Sequence, residues 1–142
     1  MAARMTPTRI ILHCSATEDG RTVSWGAIRR FHVEQRGWAE IGYHFGVELV
    51  DEGYEILLGR FPDQAGAHSL GQNFDSLGIC FVPPPPAQWR RGIGLAAWLC
   101  RRYLIPAERV FGHRQFEKAK TCPGSAFDLD RFRNELAKEL RR

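Results

Sequence analysis

The sequence contains no apolar run approaching the roughly 18 residues that a membrane-spanning helix needs. Its first residues, MAARMTPTRIILHC, are partly basic but hold only a four-residue apolar core before turning polar, which does not read as a signal peptide. Synthesis in the cytoplasm is therefore the expectation, with any action elsewhere requiring release. Cysteine is scarce: Cys14, Cys80, Cys100 and Cys122 form no C-x-x-C pair and no small disulfide framework, so reduced thiols are the default. A massed basic tract is missing too. The net charge of +4 is spread over separate pairs such as Arg29/Arg30, Arg90/Arg91, Arg101/Arg102 and Arg141/Arg142. A nucleic-acid module would concentrate that charge on one face with aromatics for stacking, so nucleic acid is not an expected partner, although the mild positive bias still suits an anionic one. There is no internal repeat and no linker long enough for a second domain, and 142 residues suit one domain with a real hydrophobic core.

The periodicities predict a mixed α/β (α+β) domain: a central mixed sheet flanked by about three helices. Residues 9–16 alternate as a strand, with Ile10, Leu12 and Cys14 on one face and Ile11, His13 and Ser15 on the other. Ser24 is a suitable N-cap for a helix whose stripe is Trp25, Ile28, Phe31, His32 and Gln35, ended by Gly37. Residues 41–50 and 54–61 read as a hairpin turned at DEG, 62–75 as an ordered loop, and 76–82 as a central apolar strand. Four prolines, 83–86, stop that strand and open a helix over 87–104 that buries Ile93, Ala96, Ala97, Cys100 and Leu104. A short strand, 108–113, follows, and Asp128 caps a third helix with Phe132, Leu136 and Leu140 inward. The arginines at that helix's end complement its dipole.

One stretch departs from ordinary packing. Cys14, Cys80 and Cys100 sit in apolar segments, as small core residues do, but Cys122 lies in a polar loop, KAKTCPG, nine residues after His113. A catalytic zinc takes three protein ligands of the His or Cys kind and leaves one position open. The five histidines, 13, 32, 44, 68 and 113, and Cys122 are all candidates by type. His13 ends a strand opposite the core-like face, His113 ends another, and Cys122 closes the next loop, so these three can converge at one sheet edge. Spacing alone leaves a plainer reading open, in which His13 is a hydrogen-bonded, partly buried histidine and Cys122 a loop thiol. His32, on a helix stripe, reads as a core histidine. Tyr43 and His44 alternate, so only one faces any site at that edge.

Four segments in order, IILHCSAT, GWAEIGYHFGV, GAHSLGQNFDSLGICFV and FGHRQF…KTCPG, resemble the type 2 N-acetylmuramoyl-L-alanine amidase family, which includes T7-like phage lysozymes and peptidoglycan recognition proteins. The resemblance spans about residues 8–130. It implies zinc held by His13, His113 and Cys122, with Tyr43 and Lys120 as catalytic groups and peptidoglycan as the partner. It also implies cleavage of the amide between the lactyl group of N-acetylmuramic acid and L-alanine. In relatives the loop holding His68 and Asn73 borders the substrate groove, so both are expected to touch peptide or sugar. His44 is expected to be structural.

The chain departs from that pattern at Asp75-Ser76, where many relatives have Asn-Ser, and at PPPP, where they often have a longer glycine-rich loop. The first places a charge where it would be expected to reach the groove. The expectation is a single catalytic domain over 1–142, without a separate wall-binding module, acting as a monomeric phage or prophage endolysin. The rivals are a peptidoglycan-binding protein that does not cut, which typically lacks the cysteine, and a cytoplasmic muropeptide-recycling amidase.

Overall fold

The computed structural model describes residues 4–15, 24–50, 53–82 and 89–142. The four-proline connector and the loop TEDGRT lie outside the described residues, as does part of the DEG turn. Five strands form one mixed sheet in the order β3-β2-β4-β1-β5, where β1 is Arg9–Cys14, β2 Phe45–Val50, β3 Gly53–Leu58, β4 Ser76–Val82 and β5 Val110–Gly112. Among the described residues, β2 and β3 run antiparallel; β4 pairs parallel with β1 and β2, and β1 parallel with β5. The expected central strand is indeed the middle one. Every residue of β4 is buried, as a strand covered on both faces requires.

Strand alternation sorts the core into two layers. On one face Ile10, Leu12, Val47, Ile79 and Phe81 pack against α2 (Trp89–Tyr103) and α3 (Leu129–Leu140). On the other, Cys80 and Val82 pack with Trp25 and Ile41 under α1 (Trp25–Arg30). His13 pairs in register with Cys80 and so belongs to this second face. Both predicted caps are present: Ser24 Oγ accepts from Ala27 N–H at 3.1 Å, and Asp128 Oδ1 accepts from Arg131 N–H at 2.9 Å.

Four expectations shift. The first helix changes to a π-helical turn at Phe31–Gln35, with Arg36 N–H donating to Phe31 O, five residues back. That extra residue per turn rotates the stripe, and Phe31 and Gln35 end up exposed. The second strand starts at Phe45, not 41, because Gly42 is committed elsewhere: its carbonyl accepts from Ala67 N–H at 3.0 Å, and a Cβ on it would stand 2.3 Å from Ala67 O. Leu104 is 89% exposed instead of buried, because it ends α2 in the left-handed region (φ 55°) while Ile105 N–H closes back on Cys100 O at 2.9 Å. The strand expected over 108–113 is confined to Val110–Gly112 between two 3-10 turns, and the second of these, His113–Gln115, turns His113 away from the ladder.

Candidate metal centre and active site

Parallel pairing of β1 with β4 and β5 brings three chain segments together at the C-terminal end of β1. His13, 1% exposed, is the hub. Its ring centroid lies 4.5 Å from that of His113, 5.1 Å from Tyr43 and 4.9 Å from His68, the last edge-on. Burial drives the His13 imidazole far below its ordinary range, and the neighbouring His68, His113 and His44 push the same way, as does the Lys120 charge. His13 is therefore a neutral base with a lone pair at one ring nitrogen.

His113 is also buried. Its Nε2 is 3.0 Å from a Glu117 carboxylate oxygen by distance, but the two are not aligned as donor and acceptor, and the nitrogen has no hydrogen-bond partner among the described residues. The loop that follows folds back through Arg114, whose N–H donates to Cys122 O at 2.9 Å and whose guanidinium donates to Phe127 O at 2.7 Å. Cys122 is thereby carried under the end of β1, with a cis peptide bond to Pro123. Its sulfur lies 3.4 Å from that of Cys14, which donates its S–H to it. That bond, and the nearness of His113, hold the Cys122 thiol well below its usual range against the opposing effect of burial, while Cys14 is pushed up. Cys14 is thus more than the small core residue expected. The sequence signal for it was its place beside His13 at a strand end, which alternation alone assigned to the opposite face.

Tyr43 sits over His13 with its hydroxyl beside the Cys80 sulfur, and burial pushes the phenol well above its ordinary value, so it stays protonated. Lys120 is exposed on the Cys122 loop, its backbone N–H closing a turn on Glu117 O at 3.0 Å. The structure therefore brings His13, His113, Cys122 and Tyr43 together, with Lys120 on the adjoining loop. Glu117, which neither spacing nor resemblance singled out, stands at His113.

Among the described residues His68 is packed inward and hydrogen-bonded through its ring. It is 7% exposed, with Nδ1 2.9 Å from His13 Nε2 and Nε2 3.3 Å from Ser76 O, so neither ring nitrogen is open to a peptide or sugar. Burial takes its imidazole down to about 3, with His44 pushing the same way. The Asn73 side-chain oxygen accepts from the His68 and Ser69 N–H groups at 2.8 and 2.9 Å, and so orders the loop. Asp75 likewise spends its charge at the other end of β1, accepting from Arg9 at 2.6 and 3.0 Å and from the Thr8 hydroxyl at 3.2 Å. His44 is structural, as expected: Gly78 N–H donates to its Nδ1 at 3.0 Å and its Nε2–H donates to Gln64 O at 2.7 Å. His32, only half-buried, accepts the Gly42 N–H at 3.0 Å. A groove of about 550 Å³ between α2 and α3 lies on the other face of the sheet and is lined by none of these residues.

The donors fit a zinc ion by chemistry: two imidazoles and a thiol held low, one imidazole nitrogen buried without a hydrogen-bond partner among the described residues. Among the described residues, no three His, Cys, Asp or Glu side chains stand as a finished metal cage, and the Cys122 sulfur is engaged by Cys14 instead.

Comparison with known proteins shows the family and the fold. The family model described as N-acetylmuramoyl-L-alanine amidase matches residues 3–125. The endolysin of Enterobacteria phage T3 is 33% identical over 146 aligned residues, covering 94% of this chain and 91% of that protein. Among solved structures, the N-acetylmuramoyl-L-alanine amidase LysC from Clostridium intestinale superposes with a TM-score of 0.78 at 27% identity, covering 93% of this chain and 86% of that one. Drosophila PGRP-LB superposes with a TM-score of 0.68 at 29% identity, over 86% of this chain and 77% of that one.

Proposed function

Because the chain belongs to the type 2 N-acetylmuramoyl-L-alanine amidase family, we propose that it is a zinc-dependent amidase cutting the lactyl–L-alanine bond of peptidoglycan, made in the cytoplasm and acting on the wall after release, as a phage or prophage endolysin does. The observation that carries this reading is the meeting of His13, His113, Cys122 and Tyr43 at one strand end, with Lys120 on the adjoining loop.

His13, His113 and Cys122 would hold the ion. When bound, zinc supplies a Lewis acid and brings the pKa of water down to roughly 7. The chain's own residues do the rest. Burial keeps His13 neutral and so able to donate its lone pair at neutral pH. The Cys14 S–H contact favours the charged form of the Cys122 sulfur, as a metal-binding thiol needs. Tyr43, protonated and aimed at this cluster, serves as a hydrogen-bond donor, either to the attacking water or to the leaving amine. Lys120 brings an ammonium to the same mouth, where it neutralises the oxyanion that develops on the scissile carbonyl. Exposure suits that role, since its side chain can swing onto a bound substrate.

Digestion of purified sacculi by metal-loaded and chelator-treated protein, followed by mass spectrometry of the products, tests the bond and the metal together. Free N-terminal L-alanine on the stem peptides, appearing only with metal, is the expected result. Cleavage at another bond, or undiminished cleavage after chelation, would overturn the reading.

A further inference from the structure

The hydrogen bonds around His68 run in one direction, and that direction has a consequence for His13. Ser76 O is a carbonyl and can only accept, so the His68 nitrogen 3.3 Å from it, Nε2, carries the proton. The Ser76 hydroxyl agrees. It donates its own hydrogen to Gln72 O at 2.5 Å and so presents only lone pairs to His68 Nε2 at 3.4 Å. In a neutral, buried ring, a proton on Nε2 leaves Nδ1 as a bare acceptor. The atom 2.9 Å from that acceptor is His13 Nε2, which must therefore be the donor. His13 is left with its proton on Nε2 and its lone pair on Nδ1.

We propose that His68 is a positioning residue: it locks His13 in the Nε2–H tautomer, so that Nδ1 is the atom His13 offers to the metal. This rests on the zinc-amidase reading above and deepens it. Metal-bound histidines commonly donate their second ring N–H to a fixed acceptor, and that outer partner orients the ring and raises its basicity. Here the acceptor is another imidazole, which can accept only because Ser76 holds its tautomer. The fold makes room for it at two glycines. A Cβ on Gly78 would stand 2.7 Å from His68 Cγ, and one on Gly66 would stand 2.5 Å from His68 Cδ2. Asn73 fixes the backbone from which the ring projects, accepting the His68 N–H at 2.8 Å. The GAHSLGQN stretch thus serves the site from behind the metal ligand and not from the substrate side.

The test has two arms. Long-range proton–nitrogen correlation spectra of the nitrogen-15-labelled, zinc-free chain report which ring nitrogen carries the proton. His13 should show a protonated Nε2 and a bare Nδ1, and His68 the same; a proton on His13 Nδ1 would overturn the proposal without any mutant. In the second arm, zinc affinity is titrated against a competing chelator. His68→Ala should lose about 10–100-fold in affinity and mix the His13 tautomers. His68→Asn, whose side-chain oxygen can stand where Nδ1 does, should restore much of both. Affinity unchanged in His68→Ala, with the His13 tautomer still single, would overturn the assignment. A wild-type chain with the stated tautomers that binds no zinc would uphold the His68–His13 relay and refute the metal reading it was joined to.

Discussion

Acid should unfold this protein through a histidine that takes no part in the chemistry. His44 is fully buried, and both its nitrogens are spent in the neutral form, Nδ1 accepting from Gly78 and Nε2–H donating to Gln64 O. A second proton on Nδ1 would meet the Gly78 N–H head-on. Burial takes the imidazole down to about 4; the Gln64 carbonyl opposes that and Arg60 adds to it. In the unfolded chain the group returns to about 6.5. The folded value is depressed, so the unfolded state binds more protons below 6.5. The stabilisation is therefore present above that pH and is lost as the pH falls through 4, levelling off by about pH 3. Linkage puts the loss at about 2 kcal/mol by pH 5 and about 3 kcal/mol by pH 4. Urea unfolding of the metal-free wild type and of His44→Asn, measured at pH 7, 5 and 4, isolates this share. The variant should be weaker at pH 7, having lost the bond to Gln64, but its stability should fall between pH 7 and 5 by about 2 kcal/mol less than the wild type's. Parallel pH profiles for the two proteins would mean that His44 is not the group whose protonation lowers stability.

Cys122→Ser should lower the zinc content of the purified protein and abolish release of L-alanine ends from sacculi while leaving the circular dichroism spectrum in place; normal turnover would remove the thiol from the site. Lys120→Ala should keep its zinc and lose about 2–4 kcal/mol of transition-state stabilisation, read as a fall in kcat/KM. Asp75→Asn should leave hydrolysis and KM unchanged, because the carboxylate is held by Arg9 at the far end of β1, and should cost under about 1 kcal/mol of stability in thermal melts since the pair is half in solvent.

Much of this architecture is legible in the sequence, for physical reasons. A strand buried on both faces must be apolar throughout, which marked SLGICFV as central, and hydroxyl and carboxyl caps marked the starts of α1 and α3. The misplaced boundaries have a common cause. Gly42, Leu104 and the π-helical turn at Phe31 are settled by partners far along the chain or by a local backbone change, and neither leaves a periodicity to read. The site divides in the same way. His13 and His113 stand at strand ends, where a sheet presents its chemistry, and Cys122 betrayed itself by lying in a polar loop. The roles of Cys14 and His68 depend on contacts across 108 and 55 residues, made by side chains whose direction no spacing rule supplies. The resemblance suggested a place beside the substrate groove for His68, whereas Gly66 in its loop and Gly78 in β4 clear space for a buried ring.

Whether His13, His113 and Cys122 hold one zinc ion is read from X-ray absorption of the zinc-loaded protein. The spectrum should show one sulfur at about 2.3 Å with nitrogen or oxygen neighbours at about 2.0–2.1 Å, two of them imidazole, and lose the sulfur shell in Cys122→Ser. A wild-type spectrum with no sulfur neighbour, or with two, would contradict that ligand set.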